Sequence, residues 1–338
     1  MGPFGLFDIF LFGVLGFFFL AVVWLSRAGR DLAPNNPKAV LARRSALAAP
    51  SAAVAQTARA ASLWPNSVAH YGAERRRRAA GGSGATAVGC VAGAAGTSCR
   101  LAVLAGDSIT RGAVSASYAD ILAARLPDWE LVNAGVNGEL AYNLAERLDD
   151  IVALDPDAVT VLVGTNDANS TFGLRSAIGY IAVKRLPEPP SPYFFRENLV
   201  RIARRLKRDT RARIAFFSIP PIGEDLGHYA YLRSEEYAAI IRGVARDEGL
   251  EYLPLHERMR SYLESMPPGD EPPLPFPRFN AAYLRMTRAR RYLGKTLDQV
   301  SASNRFRLLV DGIHLNSHGA AMAADLAESF LRSVGGGA

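Results

Sequence analysis

Two hydrophobic patterns divide the chain. Residues 4–24 form one continuous apolar run, FGLFDIFLFGVLGFFFLAVVW, in which Asp8 carries the only charge. From Arg100 onward, short apolar runs alternate with stretches in which hydrophobic residues recur every three or four positions. This is the pattern of buried strands followed by amphipathic helices. Residues 31–99, between the two regions, show neither pattern.

The alternating region predicts one α/β domain over residues 100–338. Strands are expected at Arg100–Ala105, Glu130–Asn133, Ala158–Val163, Arg213–Ile219 and Glu251–Leu255. Helices are expected at Tyr118–Leu126, Leu140–Val152, Phe195–Arg208, Glu235–Glu248 and Ser317–Val334. Because strands and helices alternate along the chain, we predict a parallel sheet that is covered by helices on both faces.

Two proline-rich segments interrupt this alternation, and both are expected to be loops. One is Pro187–Pro192. The other is Pro267–Pro277, which contains six prolines and begins a long insertion that ends near Arg307. Loops of that length in a compact domain often cover or line a binding site.

The N-terminal apolar run has the length of a transmembrane helix. Its 21 residues would span roughly 31 Å as a helix, which is about one hydrocarbon core. Trp24 suits the membrane interface, and Arg27 and Arg30 suit the lipid headgroups. We therefore predict a membrane anchor over residues 1–30, with residues 4–24 in the bilayer.

A cleaved signal peptide is the competing interpretation of the same run. It normally begins with positive charges and ends at a small-residue cleavage site. The chain has no Lys or Arg before the run and no clean A-x-A sequence after Trp24. The basic residues that follow favour a cytoplasmic catalytic domain, but long domains can override this rule. The side of the membrane therefore stays open.

Residues 31–99 are predicted to be a mostly disordered tether, because Ala fills 21 of these 69 positions and bulky apolar residues are few. The run Arg75–Arg78 is most simply a solvated charge run, with contact to anionic lipid as the alternative. Cys90 and Cys99 could close a small loop in an exported protein or be two unrelated small residues.

Composition excludes several classes of protein. With 49% hydrophobic and 21% charged residues, the 338-residue chain can bury a sizeable core and is not disordered as a whole. The formal net charge is +7, but only four of the 39 basic residues are Lys. In such an Ala-rich chain, the excess of Arg indicates compositional bias, and we expect no nucleic-acid partner. Two cysteines exclude a disulfide-rich scaffold and a Cys-based zinc finger.

Candidate catalytic groups lie where the predicted strands end. Active sites of open parallel sheets form outside the carboxyl ends of the strands. The relevant segments are G-D-S-I-T with Ser108, N-A-G-V-N-G with Gly138, G-T-N-D with Asn166, and D-G-I-H, before the last helix, with Asp311 and His314. We expect all of these groups to lie on one rim of the sheet.

These residue types fit nucleophilic catalysis on an acyl group. A serine hydroxyl needs a base to take its proton, and that base is usually a histidine oriented by a carboxylate. His314 and Asp311, three positions apart, can fill these roles for Ser108. The oxyanion of the transition state needs hydrogen-bond donors. Candidates are the N–H groups of Ser108 and Gly138 and the side-chain amide of Asn166.

The four segments, in this order, resemble the SGNH (GDSL) hydrolase family, in its esterase and lysophospholipase-like branch. The resemblance covers roughly residues 100–335. It implies a flavodoxin-like three-layer α/β/α sandwich, a Ser–His–Asp triad of Ser108, His314 and Asp311, an ester substrate, and no metal or other cofactor. The N-terminal anchor, the tether and the insertion before Asp311 are departures from the family's pattern.

On this basis we expect a membrane-anchored serine esterase that cleaves carboxylic esters of the lipid or acyl-sugar type through an acyl-enzyme on Ser108. Transfer of the acyl group to a sugar hydroxyl is one alternative. A catalytically silent binding protein held at the membrane is another, and a peripheral binder of anionic lipid that uses the basic stripe of Arg201–Arg208 is a third. The acyl chain, the alcohol and the oligomeric state stay open.

Two other hydrolase types fit less well. The nucleophile elbow of α/β-hydrolases requires G-x-S-x-G, and Thr110 stands where its last glycine would be. His314 and His318 could ligate a metal together with Asp311, but no third His or nearby Cys completes a usual set. His318 is expected to be a surface residue in the first turn of the last helix.

Overall fold

The computed structural model describes residues 100–267, 272–275, 285–289 and 292–335. The predicted anchor over residues 1–30, the predicted tether, Cys90 and Cys99 lie outside these residues and stay predictions. Within the described ranges, no helix combines the length and the apolar character that crossing a membrane requires.

The short apolar runs form a single parallel sheet. Its strands are β1 Arg100–Gly106, β2 Trp129–Gly135, β3 Ala158–Leu162, β4 Arg213–Phe217 and β5 Glu251–Leu253. They lie in the order β2-β1-β3-β4-β5, and every neighbouring pair is parallel. This is the flavodoxin-type order, so the predicted parallel sheet is confirmed.

Helices fill the connections between the strands and follow the last strand. In chain order they are α1 Ser108–Arg111, α2 Tyr118–Arg125, α3 Ala141–Glu146, α4 Leu148–Val152, α5 Thr165–Ser170, α6 Leu174–Lys184, α7 Pro192–Asp209, α8 Tyr229–Glu248, α9 Leu255–Ser265, α10 Leu297–Ser303 and α11 Ser317–Gly335.

Each face of the sheet is buried under its own set of helices. Successive strand residues point to opposite faces, so Val103 and Val159 enter one core while Leu104 and Leu162 enter the other. Helices α3, α4, α7 and α8 complete the first core, with side chains that include Leu144, Ile151, Ile202 and Ile241. Helices α2, α9 and α11 complete the second core, with side chains that include Leu122, Met259 and Ala323. The domain therefore has three layers, with the sheet between two layers of helices.

Several predicted boundaries are wrong. The single helix expected at Leu140–Val152 is two helices, because the backbone of Arg147 leaves the helical conformation (φ −115°, ψ 19°) while its side chain reaches back to the sheet. Pro192 is not in a loop: it occupies the first turn of α7, where a missing N–H costs nothing.

The insertion before the last helix is not entirely loop. It contains α10, which begins with a capping box: the Thr296 hydroxyl accepts the Gln299 N–H at 3.1 Å, and the Gln299 side chain accepts the Thr296 N–H at 2.9 Å. The sequence signal for this helix, T-x-x-Q, was present but was missed. Helices α6 and α9 were missed as well.

Gly106 lies at the end of β1 in a space that no side chain can enter. A Cβ there would lie 2.2 Å from Thr110 Oγ1 and 2.3 Å from the Leu162 carbonyl oxygen. We expect Gly106→Ala to lower the free energy of unfolding by about 1–3 kcal/mol, measured by urea denaturation. Gly243→Ala in α8 is the matched control. Nothing lies within 4 Å of its Cβ, so stability should hold or rise by up to about 1 kcal/mol. Unchanged stability of Gly106→Ala would contradict this packing.

Candidate active site

Ser108 stands at the carboxyl end of the central strand β1. The preceding Asp107 caps α1, because its Oδ1 accepts the Ile109 N–H at 2.9 Å. Ser108 is therefore the first residue of that short helix, and its own N–H has no acceptor within the helix. The side chain is almost buried, with 8% of the residue exposed.

The strand order creates a crevice beside Ser108. The chain leaves β1 for β2 on one side, whereas β3 lies on the other side, and ligands of open sheets bind at such a switch point. Asn166, in α5, follows β3 directly. Its Nδ2 donates to Asp107 Oδ2 at 3.2 Å, so the residues around Ser108 and Asn166 meet across this crevice.

The structure brings the three predicted catalytic side chains into one hydrogen-bonded row. Ser108 Oγ lies 3.0 Å from His314 Nε2, and His314 Nδ1 lies 2.8 Å from Asp311 Oδ2. Since Nδ1 faces a carboxylate, it carries the ring proton, and Nε2 is left to accept the serine hydroxyl. All three side chains are buried.

A tight turn holds Asp311 and His314 in place. The turn is closed by a hydrogen bond of 2.7 Å from the Val310 N–H to the His314 carbonyl. Asp311 Oδ1 accepts the N–H groups of Ile313 at 3.1 Å and His314 at 2.9 Å. Gly312 has φ 94°, which favours glycine. The backbone thus orients the Asp311 carboxylate through Oδ1, and Oδ2 is left to bind the imidazole.

Burial and charge act against each other in this pair. Burial favours neutral forms, but the attraction and the hydrogen bond between the two groups outweigh it. As a result the pKa of Asp311 is lowered, and the pKa of His314 is raised above its ordinary 6.5, with a further contribution from the nearby Asp107 carboxylate.

The three candidate oxyanion donors differ in their availability. Among the described residues, the N–H groups of Ser108 and Gly138 have no acceptor. Gly138 lies in the loop after β2 with φ 71°. Asn166 Nδ2 already donates to the Glu139 carbonyl at 2.9 Å and to Asp107 Oδ2 at 3.2 Å. The longer of these bonds is the one that an oxyanion could share.

Helix α6 supports the candidate oxyanion residues from outside, a feature that the sequence did not predict. The Tyr180 hydroxyl donates to Asn166 Oδ1 at 2.8 Å. Lys184 Nζ donates to the Asn137 carbonyl at 2.7 Å. Its last side-chain atoms lie 3.0 and 3.1 Å from the position that a Cβ on Gly138 would take. No sequence motif marked these two residues, because their role depends on where α6 packs.

Two buried acidic residues that sequence reasoning missed fix the backbone around the site. Glu139 pairs with Arg147 at 2.7 Å, and the same guanidinium donates to the Ala134 carbonyl at 2.7 Å. The Glu224 carboxylate accepts three consecutive N–H groups, those of residues 307–309, at 2.7–2.9 Å. Glu224 thereby anchors the segment that leads into the Asp311 turn.

Two further carboxyl groups lie beneath the site. Burial raises the pKa of Asp107 to about 7, with a further contribution from the Glu139 carboxylate. Burial likewise raises the pKa of Asp167 to about 8, with a further contribution from Asp107. Asp167 accepts the Ala141 N–H at the start of α3 at 3.1 Å, and Asp107 caps α1.

His314 and His318, the two candidate metal ligands, do not form a common site. Both ring nitrogens of His314 face triad partners, whereas His318 is exposed in the first turn of α11, with its ring against Tyr262 at 4.6 Å. Across the described part of the chain, no group of three or more His, Cys, Asp and Glu side chains is arranged to hold a metal ion.

Several solved structures resemble this chain. An alpha/beta hydrolase enzyme from the metagenome of Lake Arreo, Spain, is 19% identical with a TM-score of 0.49, over 70% of this chain and 95% of the other. An acetylxylan esterase from Geobacillus stearothermophilus is 16% identical with a TM-score of 0.49, over 70% and 94%. The lipase/acylhydrolase from Enterococcus faecalis is 19% identical with a TM-score of 0.46, over 69% and 96%.

The comparison with protein families is decisive for the family. No curated protein sequence matches the chain significantly. The model of the GDSL-like lipase/acylhydrolase family, however, matches residues 104–322, a span that includes every candidate residue from Ser108 to His314. The chain therefore belongs to the GDSL-like lipase/acylhydrolase family and is a serine hydrolase that acts on ester bonds.

Proposed function

We propose that the protein hydrolyses carboxylic esters of the lipid or acyl-sugar type through an acyl-enzyme on Ser108. The observation that carries this proposal is the row of two hydrogen bonds, 3.0 Å from Ser108 to His314 and 2.8 Å from His314 to Asp311. Residues 4–24 would hold the catalytic domain at a membrane.

In the acylation step, Ser108 Oγ attacks the ester carbonyl carbon and its proton passes to His314 Nε2. The tetrahedral intermediate then collapses, the bond to the alcohol oxygen breaks, and His314 returns the proton to that oxygen. Asp311 keeps the second proton on Nδ1 and stabilises the imidazolium while it exists.

The negative charge of the intermediate falls on the former carbonyl oxygen. The N–H groups of Ser108 and Gly138 would bind it, together with the Asn166 hydrogen that Asp107 accepts at the longer distance of 3.2 Å. In deacylation, His314 takes a proton from water, the resulting hydroxide attacks the acyl group, and the carboxylic acid leaves as Ser108 regains its proton.

Replacement of the nucleophile tests this mechanism. We expect Ser108→Ala, in the full-length chain, to lose roughly 10⁴-fold or more in kcat on p-nitrophenyl esters, because the variant lacks the hydroxyl that forms the acyl-enzyme. Ser333→Ala, at an exposed position on α11, is the matched control and should keep full activity. A folded Ser108→Ala variant that still turns over would refute the proposal.

The same assay, with p-nitrophenyl esters from acetate to palmitate, shows which acyl chain length the enzyme prefers. An optimum at acetate indicates a small acyl pocket, and an optimum near palmitate indicates a lipid substrate. Transfer to a sugar hydroxyl is separated from hydrolysis by adding a sugar acceptor: a Ser108-dependent acyl-sugar product formed at the expense of free acid would replace the esterase assignment with the acyltransferase.

The raised pKa of His314 predicts the pH profile. The base works only when neutral, so kcat/KM should rise with pH through a midpoint above the ordinary value of 6.5. In Asp311→Asn the attraction that raises this pKa is lost. The midpoint should then move to lower pH, and the maximal rate should fall roughly 10³–10⁴-fold.

Asp325→Asn controls for surface charge, since Asp325 lies on α11 and is more than a third exposed. Its profile should match that of the unmodified chain. An acid limb that stays in place in Asp311→Asn would show that His314 is not the titrating base.

A further inference from the structure

Helix α6 exposes three large apolar side chains, and two of them share its outward face. Leu174 is 76% exposed, Ile178 56% and Val183 67%, and no side chain of the helix is fully buried. At 100° per residue, Leu174 and Ile178 lie on one side of the helix. Neighbouring exposed apolar residues of this kind on a soluble domain mark a binding surface.

Other exposed apolar side chains lie at the starts of α7 and α8 and in the loop after β2. They are Tyr193, Tyr229, Leu232 and Val136. Helices that precede parallel strands begin at the carboxyl edge of the sheet, so these side chains belong to the edge that carries Ser108. Among the described residues, only Tyr292 and Leu293 are large, apolar and exposed elsewhere in the sequence.

The charge of α6 indicates which partner would cover it. The segment 173–187 contains Arg175, Lys184 and Arg185 and no acidic residue. No ion pair between described residues involves Arg175 or Arg185. This combination of aliphatic and arginine side chains suits acyl chains and anionic headgroups respectively.

The basic stripe on α7 has more positive charges than α6, but most of these charges are paired with acidic residues. Arg201, Arg204 and Arg205 form ion pairs with acidic residues of neighbouring elements: Glu146, Glu248 and Asp149. Arg208 pairs with Asp209. Acidic partners thus compensate this stripe, and it does not offer a lipid surface the free positive charge that α6 does.

We propose that the outward face of α6 docks on an anionic lipid surface, with the Ser108 edge of the sheet facing that surface. The predicted span at residues 4–24 would keep the domain near a bilayer. The inference rests on the proposed function in one respect: it names esters presented at a lipid surface as the substrates.

Docking on this face would be transmitted to the site by the inward side chains of the same helix. Tyr180 contacts Asn166, and Lys184 contacts the loop that carries Gly138. Stabilising α6 therefore stabilises two of the proposed oxyanion donors.

Hydrogen exchange of the full-length chain tests the docking without relying on turnover. The chain is measured in detergent, in phosphatidylcholine nanodiscs, and in nanodiscs that also contain phosphatidylglycerol. We expect amides of Leu174–Lys184 to exchange roughly tenfold more slowly in the anionic nanodiscs, because docking opposes local opening. Amides of α11 should exchange equally in all three conditions.

Two double variants separate the apolar contribution to docking from the electrostatic contribution. Leu174→Ser with Ile178→Ser should remove the protection, and Arg175→Gln with Arg185→Gln should remove the difference between the two lipids. Tyr292→Ser with Leu293→Ser is the matched control and should keep both. Equal exchange of α6 in all three conditions would overturn the proposal. So would protection without lipid that rises with protein concentration, because a second copy would then cover the face.

The two proposals fail separately. Absence of α6 protection, together with Ser108-dependent ester hydrolysis in the same preparation, overturns the docking alone. Protection of α6 in anionic nanodiscs without any ester hydrolysis overturns the proposed hydrolytic mechanism but supports the docking of α6 on anionic lipid.

Discussion

The buried hydrogen bond between Asp311 and His314 is the interaction on which the site depends. It places a proton on Nδ1, frees Nε2 for Ser108, and raises the pKa of the imidazole despite its burial. A buried carboxylate is costly unless it is hydrogen-bonded, and the turn meets this need with two backbone N–H groups. Glu224 holds the segment before that turn in the same way, so the fold carries a second buried carboxylate to keep the first in position.

The parallel sheet explains why so much of this arrangement was readable in the sequence. Strands of one sheet end at a common edge, so motifs that follow β1, β2 and β3 must be neighbours. Short apolar runs that are bounded by turn residues also indicate buried strands. For these reasons the five strands, the two-faced core and the meeting of Ser108, His314 and Asp311 followed from residue patterns.

What the sequence did not reveal depends on packing between distant segments. Tyr180 and Lys184 matter only because α6 lies against the loop of Gly138, and its weak periodicity did not predict that helix. Glu224 carries no motif, since its partners are backbone N–H groups. The pairing of Glu139 with Arg147 carries none either, because its purpose is a guanidinium contact with the Ala134 carbonyl. The break at Arg147 is a tertiary effect too: contacts to the sheet outweigh the local preference for one continuous helix.

If Ser108 is the nucleophile that His314 activates, a covalent inhibitor of serine hydrolases should modify Ser108. The site of this modification is the most direct test. Full-length protein is treated with diethyl p-nitrophenyl phosphate, and the modified peptide is identified by mass spectrometry. The account predicts one diethylphosphoryl group, on Ser108, and an inactivation rate that falls roughly 10³-fold or more in His314→Ala. A modification on another residue that abolishes activity, or full activity after Ser108 is modified, would contradict it.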